Sequence, residues 1–502
     1  MAATTEHLDV AIIGAGLSGI GAAHRLLTEC PGKSFALFEA RDAIGGTWDL
    51  FRYPGARSDS DMFTLSYPWR PWTAPESIGD QRSILNYLQD TAEESGVTPH
   101  IRFATRMVSA DFSTETSRWT LHLDTDDDDD GTTHRRTVTC SFLYACTGYY
   151  NYTEPYQPDL PGLEDFTGEV IHPQFWPAGF DYTGKRVVVV GSGATTITLV
   201  PAMADDAAHV TMLQRSPSYV VNVPRRDRFS DAARKILPAG PAHRVARARN
   251  VVYPLGFYQL CMKLPRVAKA YLRYQARGIL KDEQQIRDHF TPTYNPWEQR
   301  VCAAPDRDFY RSLVSGKASV VTDRIDRFTA AGVRLASGRE LAADVVVTAT
   351  GLSLQSLGGA NLSVDGVPVE LGDSLIYRGV LVSGVPNFGY SLGYTNASWT
   401  LRSDLSARYV CRLLKHMDRN GHTVAVPVPT SGVARRPLLA LSSNFMLRAV
   451  NVFPRQGSGT PWTLGANYLL DVPLVMLGKV SRQMAFNAVP GRGPAAQRKE
   501  VA

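Results

Sequence analysis

The chain lacks what would mark a dithiol or zinc protein. Its six cysteines, Cys30, Cys140, Cys146, Cys261, Cys302 and Cys411, include no C-x-x-C pair and no Cys/His cluster at zinc-ligand spacing. Free thiols in a reducing compartment are expected. No apolar run is long enough to span a bilayer. Met1–His7 has neither a basic n-region nor a cleavage site, so a secretory leader is not expected and a cytoplasmic location is. A net charge of +5 over 502 residues is mild: it suits an anionic cofactor and does not call for nucleic acid. The length exceeds what one core supports, so two or three domains are expected.

What is present begins with a short apolar run, Leu8–Ile13, ending in Gly14-Ala15-Gly16-Leu17-Ser18-Gly19 and followed by a helical stretch, Gly19–Thr28. A second strand, Ser34–Glu39, completes a βαβ unit. In such a unit Gly14 makes the turn, Gly16 lets the backbone approach a pyrophosphate, and Gly19 lets helix and strand pack. The helix N-terminus meets the phosphates with unpaired N–H groups, and Glu39 is placed to accept from ribose hydroxyls. The device recurs in a second βαβ opening that begins at Lys185 with RVVVVGSGATT, as Gly191-Ser192-Gly193-Ala194-Thr195-Thr196. Here Thr196 replaces the third glycine, which should loosen helix–strand packing more than phosphate contact. The next strand, His209–Gln214, ends in Arg215 rather than an acid, which suits the 2′-phosphate of NADPH. Two dinucleotide sites without a redox-active cysteine pair point to electron transfer from a nicotinamide to a flavin.

Between these motifs, residues 101–145 read as a strand meander, with Asp126–Asp130 as a solvated hairpin tip rather than a calcium loop. Residues 225–291 form a basic helical insertion: arginines and lysines from Arg225 to Lys281 alternate with apolar residues such as Val251, Val252, Leu255, Phe257 and Leu260. A solvated cationic face over a core-facing stripe is the first reading. Weak attachment to anionic lipid at the inner face of the cell membrane is the second. The tail from Gly491 to Ala502 reads as loose and polar.

Two longer patterns carry a resemblance. Gly45-Gly46-x-Trp48, Tyr53-Pro54-Gly55 and Asp59 form one; Phe166-x-Gly168-x-x-x-His172-x-x-x-Trp176-Pro177 forms the other. Together they resemble the fingerprints of type I Baeyer–Villiger monooxygenases, the class B flavoprotein monooxygenases, and the similarity extends over nearly the whole chain. The resemblance implies an α/β fold with two Rossmann-like domains, for FAD and NADPH, and the helical insertion. FAD would be bound by residues 1–148 and 377–502, and NADPH by 149–224 and 292–376. It implies FAD contacts at Gly14, Gly16, Ser18, Gly19, Glu39, Gly46, Thr47, Trp48, Asp59 and Met107. NADPH contacts are implied at Gly191, Gly193, Ala194, Thr195, Arg215 and Ser216. Arg300, in Trp297-Glu298-Gln299-Arg300, matches the arginine beside the flavin, and Asp59 its acidic partner; Gln299 stands where many members carry a lysine. Phe166, Gly168, His172 and Trp176 would form a linker, in which His172 orders the hinge or is a buried structural histidine. Thr147-Gly148 and Thr350-Gly351 resemble the strand ends where the chain passes between domains.

The chemistry implied is insertion of one oxygen atom from O2 into a small-molecule ketone, giving an ester or lactone through a flavin C4a-peroxide, with oxidation of sulfides or thioamides as a side activity. An arginine suits this chemistry because it stays protonated at any working pH and can stabilise an anionic oxidant. An amine- or sulfur-oxidising monooxygenase with little ketone activity, and an uncoupled NADPH oxidase or sensor, are the alternatives. The sequence leaves the oligomeric state open. No metal is expected.

Overall fold

The computed structural model describes residues 5–126, 132–439 and 442–488. The acidic stretch beyond Asp126 and the tail from Gly491 lie outside the described residues. The first strand, Glu6–Ile13, lies between two parallel neighbours, Phe35–Phe38 and Thr133–Ala145. Phe388–Tyr390 adds in parallel to the far side of Thr133–Ala145, so this sheet takes strands from both halves of the chain. The helix Leu17–Glu29 covers it and packs against the long helix Trp399–Asn420. Thr133–Ala145 also closes an antiparallel meander with Thr105–Ser113 and Arg118–Asp126. The meander follows from period-2 alternation: Trp119, Leu121 and Leu123 all point into one core.

The second sheet has five parallel strands in the order Ala318–Thr322, His209–Gln214, Arg186–Val190, Val345–Thr348 and Glu169–Ile171. Its centre is nearly all valine, as expected of strands buried on both faces. Both units are Rossmann-like, and the fold is α/β. The basic insertion is helical throughout: Arg228–Ile236, Ala239–Lys263, Pro265–Leu280 and Glu283–His289. Asn361–Val364 pairs in parallel with Thr105–Ser113, so the chain re-enters the first sheet ahead of the boundary drawn at 377.

The two sheets are joined by two strand exits running side by side. The chain leaves the first sheet at Cys146–Asn151 and returns through residues 349–355. Asn151 donates its backbone N–H to Ser353 at 2.9 Å, and Gln355 donates to Tyr149 at 3.0 Å. These paired crossings put Tyr149 and Tyr150 at the junction of the two units. Among the described residues all six cysteines are free and buried, no group of side chains could hold a metal ion, and no helix is long and apolar enough to cross a membrane.

Candidate active site

A cavity opens at the C-terminal edge of the first sheet. Gly14, Gly16, Ser18, Glu39, Gly46, Thr47, Trp48 and Met107 all line it. The helix that starts at Leu17 is capped by Gly16, with no side-chain hydrogen bond and no acid in its first turn, so its N–H groups face the cavity unanswered. A Cβ on Gly16 would lie 3.6 Å from the Cα of Gly46, narrowing the cradle between the two glycine turns. Glu39 is buried; its carboxylate accepts from the backbone of Ala15 at 2.7 Å and of Arg41 at 3.0 Å. Burial raises its pKa against those hydrogen bonds. Each oxygen keeps a further lone pair for a hydroxyl. An open helix end for phosphates and a fixed acceptor nearby fit FAD.

Several residues complete the cavity that local motif reading did not single out. Trp399 lines it, donating its indole N–H to the Ser18 hydroxyl at 2.8 Å, and its ring lies 5.0 Å from that of Tyr149. Tyr152 contacts the Thr47 hydroxyl at 3.2 Å. Arg41 and Tyr150 are also lining residues. Trp399 stands in the stretch GYTNASWTL, far in sequence from either glycine turn.

Asp59 and Arg300 meet at the far side of these aromatics: Arg300 Nε lies 3.3 Å from Asp59 Oδ2. Arg300 is surrounded by protein, yet its side chain is 40% exposed. Burial alone would lower its pKa, but the Asp59 carboxylate and the phenols of Tyr149 and Tyr150 raise it, so it is a permanent cation. The loop carrying it is braced. Trp297 takes φ +70, unusual for a bulky residue, and its ring packs 5.4 Å from Tyr258 of the insertion. Ser442 donates both its N–H and its hydroxyl to the carbonyl of Glu298 at 2.8 Å.

The second glycine turn is tied to the first fingerprint through Tyr53. The helix from Ala194 is capped by Gly193 with no side-chain bond and no acid in its first turn. The space in the Cβ direction of Gly193 is open. Tyr53, driven up to about 12 by burial, hydrogen-bonds Thr195, linking the first fingerprint to the second turn. Thr196 is fully buried beside Gly191, so the packing expected to loosen instead accommodates the larger residue, at the cost of leaving its hydroxyl without a partner. Arg215 and Ser216 follow the strand His209–Gln214 and are exposed. Arg215 has no carboxylate partner among the described residues. This open turn and unpaired cation fit a phosphorylated dinucleotide.

The linker fingerprint is distributed rather than gathered. Phe166 packs on Phe328 with ring centres 6.5 Å apart, and Gly168 lies against Phe166 and the Asp344 carbonyl. Trp176 packs on Phe180 and Tyr182 of the second unit. Only His172 touches the crossing. Its Nδ1 accepts from the Gln174 backbone at 3.2 Å, and its ring lies beside Gly351 and Tyr156. Burial lowers its pKa, which keeps it neutral.

Close to Asp59, Asp61 caps the short helix Met62–Leu65 by accepting from the Thr64 backbone at 2.9 Å and its hydroxyl at 2.7 Å. Burial raises its pKa to about 6 against those bonds and the nearby Arg247. The folded state thus holds this proton more tightly than the unfolded chain. The resulting stabilisation is full below the ordinary carboxylate pKa and is lost as pH rises through 6. Asp61→Asn is expected to melt at a higher temperature than the parent at pH 8, by up to about 3 kcal/mol of stability. The gap should shrink as pH is lowered to 4; melting curves with a pH-independent gap would disprove this assignment.

Two uncapped glycine turns, the first lining an aromatic-walled cavity and the second tied to the first fingerprint through Tyr53, together with an arginine–carboxylate pair beside Tyr149 and Tyr150, define a two-nucleotide oxidoreductase. Residues 7–230 match the model of the flavin-binding monooxygenase-like family. The chain is 49% identical over 478 residues to the FAD-containing monooxygenase EthA of Mycobacterium tuberculosis, covering 95% of this chain and 96% of that one. It is 44% identical over 469 residues to the probable FAD-binding monooxygenase AlmA of Acinetobacter baylyi, covering 93% of each. Among solved structures, an oxidised steroid monooxygenase bound to NADP superimposes with a TM-score of 0.74 at 23% identity, covering 96% of this chain and 99% of that one. An open form of cyclohexanone monooxygenase gives 0.73 at 22% identity, covering 96% and 100%. The chain belongs to the flavin-binding monooxygenase-like family: it is a flavoprotein monooxygenase.

Proposed function

We propose that this protein is an FAD- and NADPH-dependent Baeyer–Villiger monooxygenase that converts small ketones to esters or lactones, with sulfide and thioamide S-oxidation as a side activity. The observation that carries the reading is the Asp59–Arg300 pair beside Tyr149 and Tyr150, two residues that line the cavity at the first glycine turn. Gly14, Gly16 and the helix end at Leu17 would hold the FAD phosphates, and Glu39 the ribose. Gly191, Gly193 and Arg215 would hold NADPH. Bound FAD, reduced by NADPH, supplies the electrons that activate O2. Arg300 provides a fixed positive charge toward oxygen-centred negative charge as it develops. Asp59 aims the guanidinium by a charge-assisted contact. Tyr149, Tyr150 and Trp399 wall the site with aromatic surface and limit water. A panel of ketones and sulfides, assayed with NADPH and analysed by product mass, tests the reading: ketones should gain one oxygen, and a panel yielding only S-oxides or only hydrogen peroxide would reject it.

The coenzyme assignment has its own test. Arg215→Ala should raise the KM for NADPH about tenfold, as loss of one charged hydrogen bond allows, and leave that for NADH nearly unchanged. Equal use of both coenzymes by the parent enzyme would refute it.

A further inference from the structure

The insertion has a composition that neither nucleotide site uses. Between Asp231 and Asp282 the chain carries eleven lysines and arginines and no aspartate or glutamate. Some of these cations have internal work. Arg247 donates to the carbonyls of Phe63 and Ser66, Arg249 pairs with Asp227, and Arg273 and Arg277 share Glu283. Lys263, Arg266 and Lys269 have no ion-pair partner among the described residues, and they cluster where the helix Ala239–Lys263 turns into the helix Pro265–Leu280.

The same turn exposes large apolar side chains. Met262, Leu264 and Val267 are each between 53 and 55% exposed, alternating in sequence with Lys263 and Arg266. The pattern continues along the second helix. At 100° per residue, Val267, Tyr271 and Tyr274 share one face, and Tyr274 is 73% exposed. Arg266, Lys269 and Arg273 fall on the adjoining face, while Ala268, Leu272 and Ala276 point into the protein and are buried. The helix therefore has three stripes: a core stripe, an exposed apolar and aromatic stripe, and a cationic stripe beside it. A surface merely solvated by charge needs no aromatic stripe, and a core-facing stripe needs no exposure. The core side is occupied, since Ala268, Leu272 and Ala276 are buried there and Tyr258 of the preceding helix packs on Trp297. The outer side is what remains for a partner.

We propose that this helical hairpin is a docking surface for an anionic phospholipid bilayer. Met262, Leu264 and Val267 enter the headgroup layer, Tyr271 and Tyr274 sit at its interface, and Lys263, Arg266 and Lys269 contact lipid phosphates. The chemistry selects lipid over a folded protein partner because the cations surround a protruding apolar tip, the arrangement of an interfacial helix. With no helix able to span a bilayer among the described residues, attachment is peripheral.

The test is sedimentation of the full-length, FAD-loaded protein with vesicles of phosphatidylglycerol and phosphatidylcholine, against vesicles of phosphatidylcholine alone. Binding is expected to the anionic vesicles only and to fall as salt rises, because exposed charges are screened within about 8 Å at physiological ionic strength. Reversing two charges, Lys263→Glu with Arg266→Glu, should weaken binding at least about tenfold. A polar tip, Met262→Ser with Leu264→Ser and Val267→Ser, should weaken it while leaving the charge intact. Both variants should keep their flavin and their melting temperature, which separates loss of docking from loss of fold. No sedimentation of the parent at low salt, equal sedimentation of parent and tip variant, or lipid-independent self-association abolished by the tip variant would each overturn the proposal. The last of these would make the tip an interface between copies of the chain.

Discussion

Arg300→Ala is expected to leave FAD bound while ester formation falls about 10²–10³-fold, the usual cost of removing one preorganised electrostatic group. FAD should stay because its contacts lie at Gly14, Gly16 and the open end of the first helix, away from this side chain. NADPH oxidation should slow but persist, and hydrogen peroxide should replace the ester as the product of oxygen. Arg300→Lys should rescue little, since an ammonium lacks the planar fork that Asp59 steadies. Asp59→Ala should give a milder form of the same defect: the cation remains but is no longer held at 3.3 Å. The measurement is the ratio of ester to peroxide per NADPH consumed. An alanine variant that still couples NADPH to ester at close to the parent rate would show that the charge is not needed at that position.

Gly19→Val is expected to yield a protein without flavin. A side chain at this position would land on the carbonyl oxygen of Gly14 and press on Leu37, 3.6 Å away. The helix would have to move off the strand, carrying its uncapped N–H groups away from the phosphates. Losing two charged hydrogen bonds of about 1.5–3 kcal/mol each corresponds to roughly 10²–10⁴ in FAD affinity. Gly193→Ala is the informative contrast, because nothing lies within 4 Å of where its Cβ would go. That variant should keep its flavin and lose only NADPH affinity. Flavin absorbance and thermal melting of both purified variants would decide the matter; a fully yellow Gly19→Val protein of normal stability would contradict the packing argument.

How much of this was legible in advance varied with distance along the chain. Both glycine turns, their strands and Glu39 lie within single βαβ units, where strand burial and turn geometry are set by near neighbours, and they stand where the spacing placed them. The meander was legible for the same reason: alternation at period two needs only the pairing of adjacent strands. Thr196 shows where local rules fail. The missing glycine was read as looser packing, yet the residue is fully buried, because the space between that helix and its strand is set by the whole second unit. The hinge fingerprint was similarly compact in sequence and scattered in space, with His172 alone reaching the crossing.

By itself the sequence determined the class of cofactor and the two-nucleotide plan, since each rests on short motifs whose backbone geometry is local; Asp59 and Arg300 were offered only by resemblance to a family, because they lie far apart along the chain. Only the tertiary structure decided what surrounds them. Trp399 reaches Ser18 from the far half of the chain because the helix Trp399–Asn420 docks on Leu17–Glu29. Tyr149 and Tyr150 reach Arg300 because two strand exits cross side by side. The exposed stripe of the insertion is defined only once its opposite face is buried. Such contacts depend on which elements pack together, a free-energy balance over the whole chain that no short stretch of residues encodes.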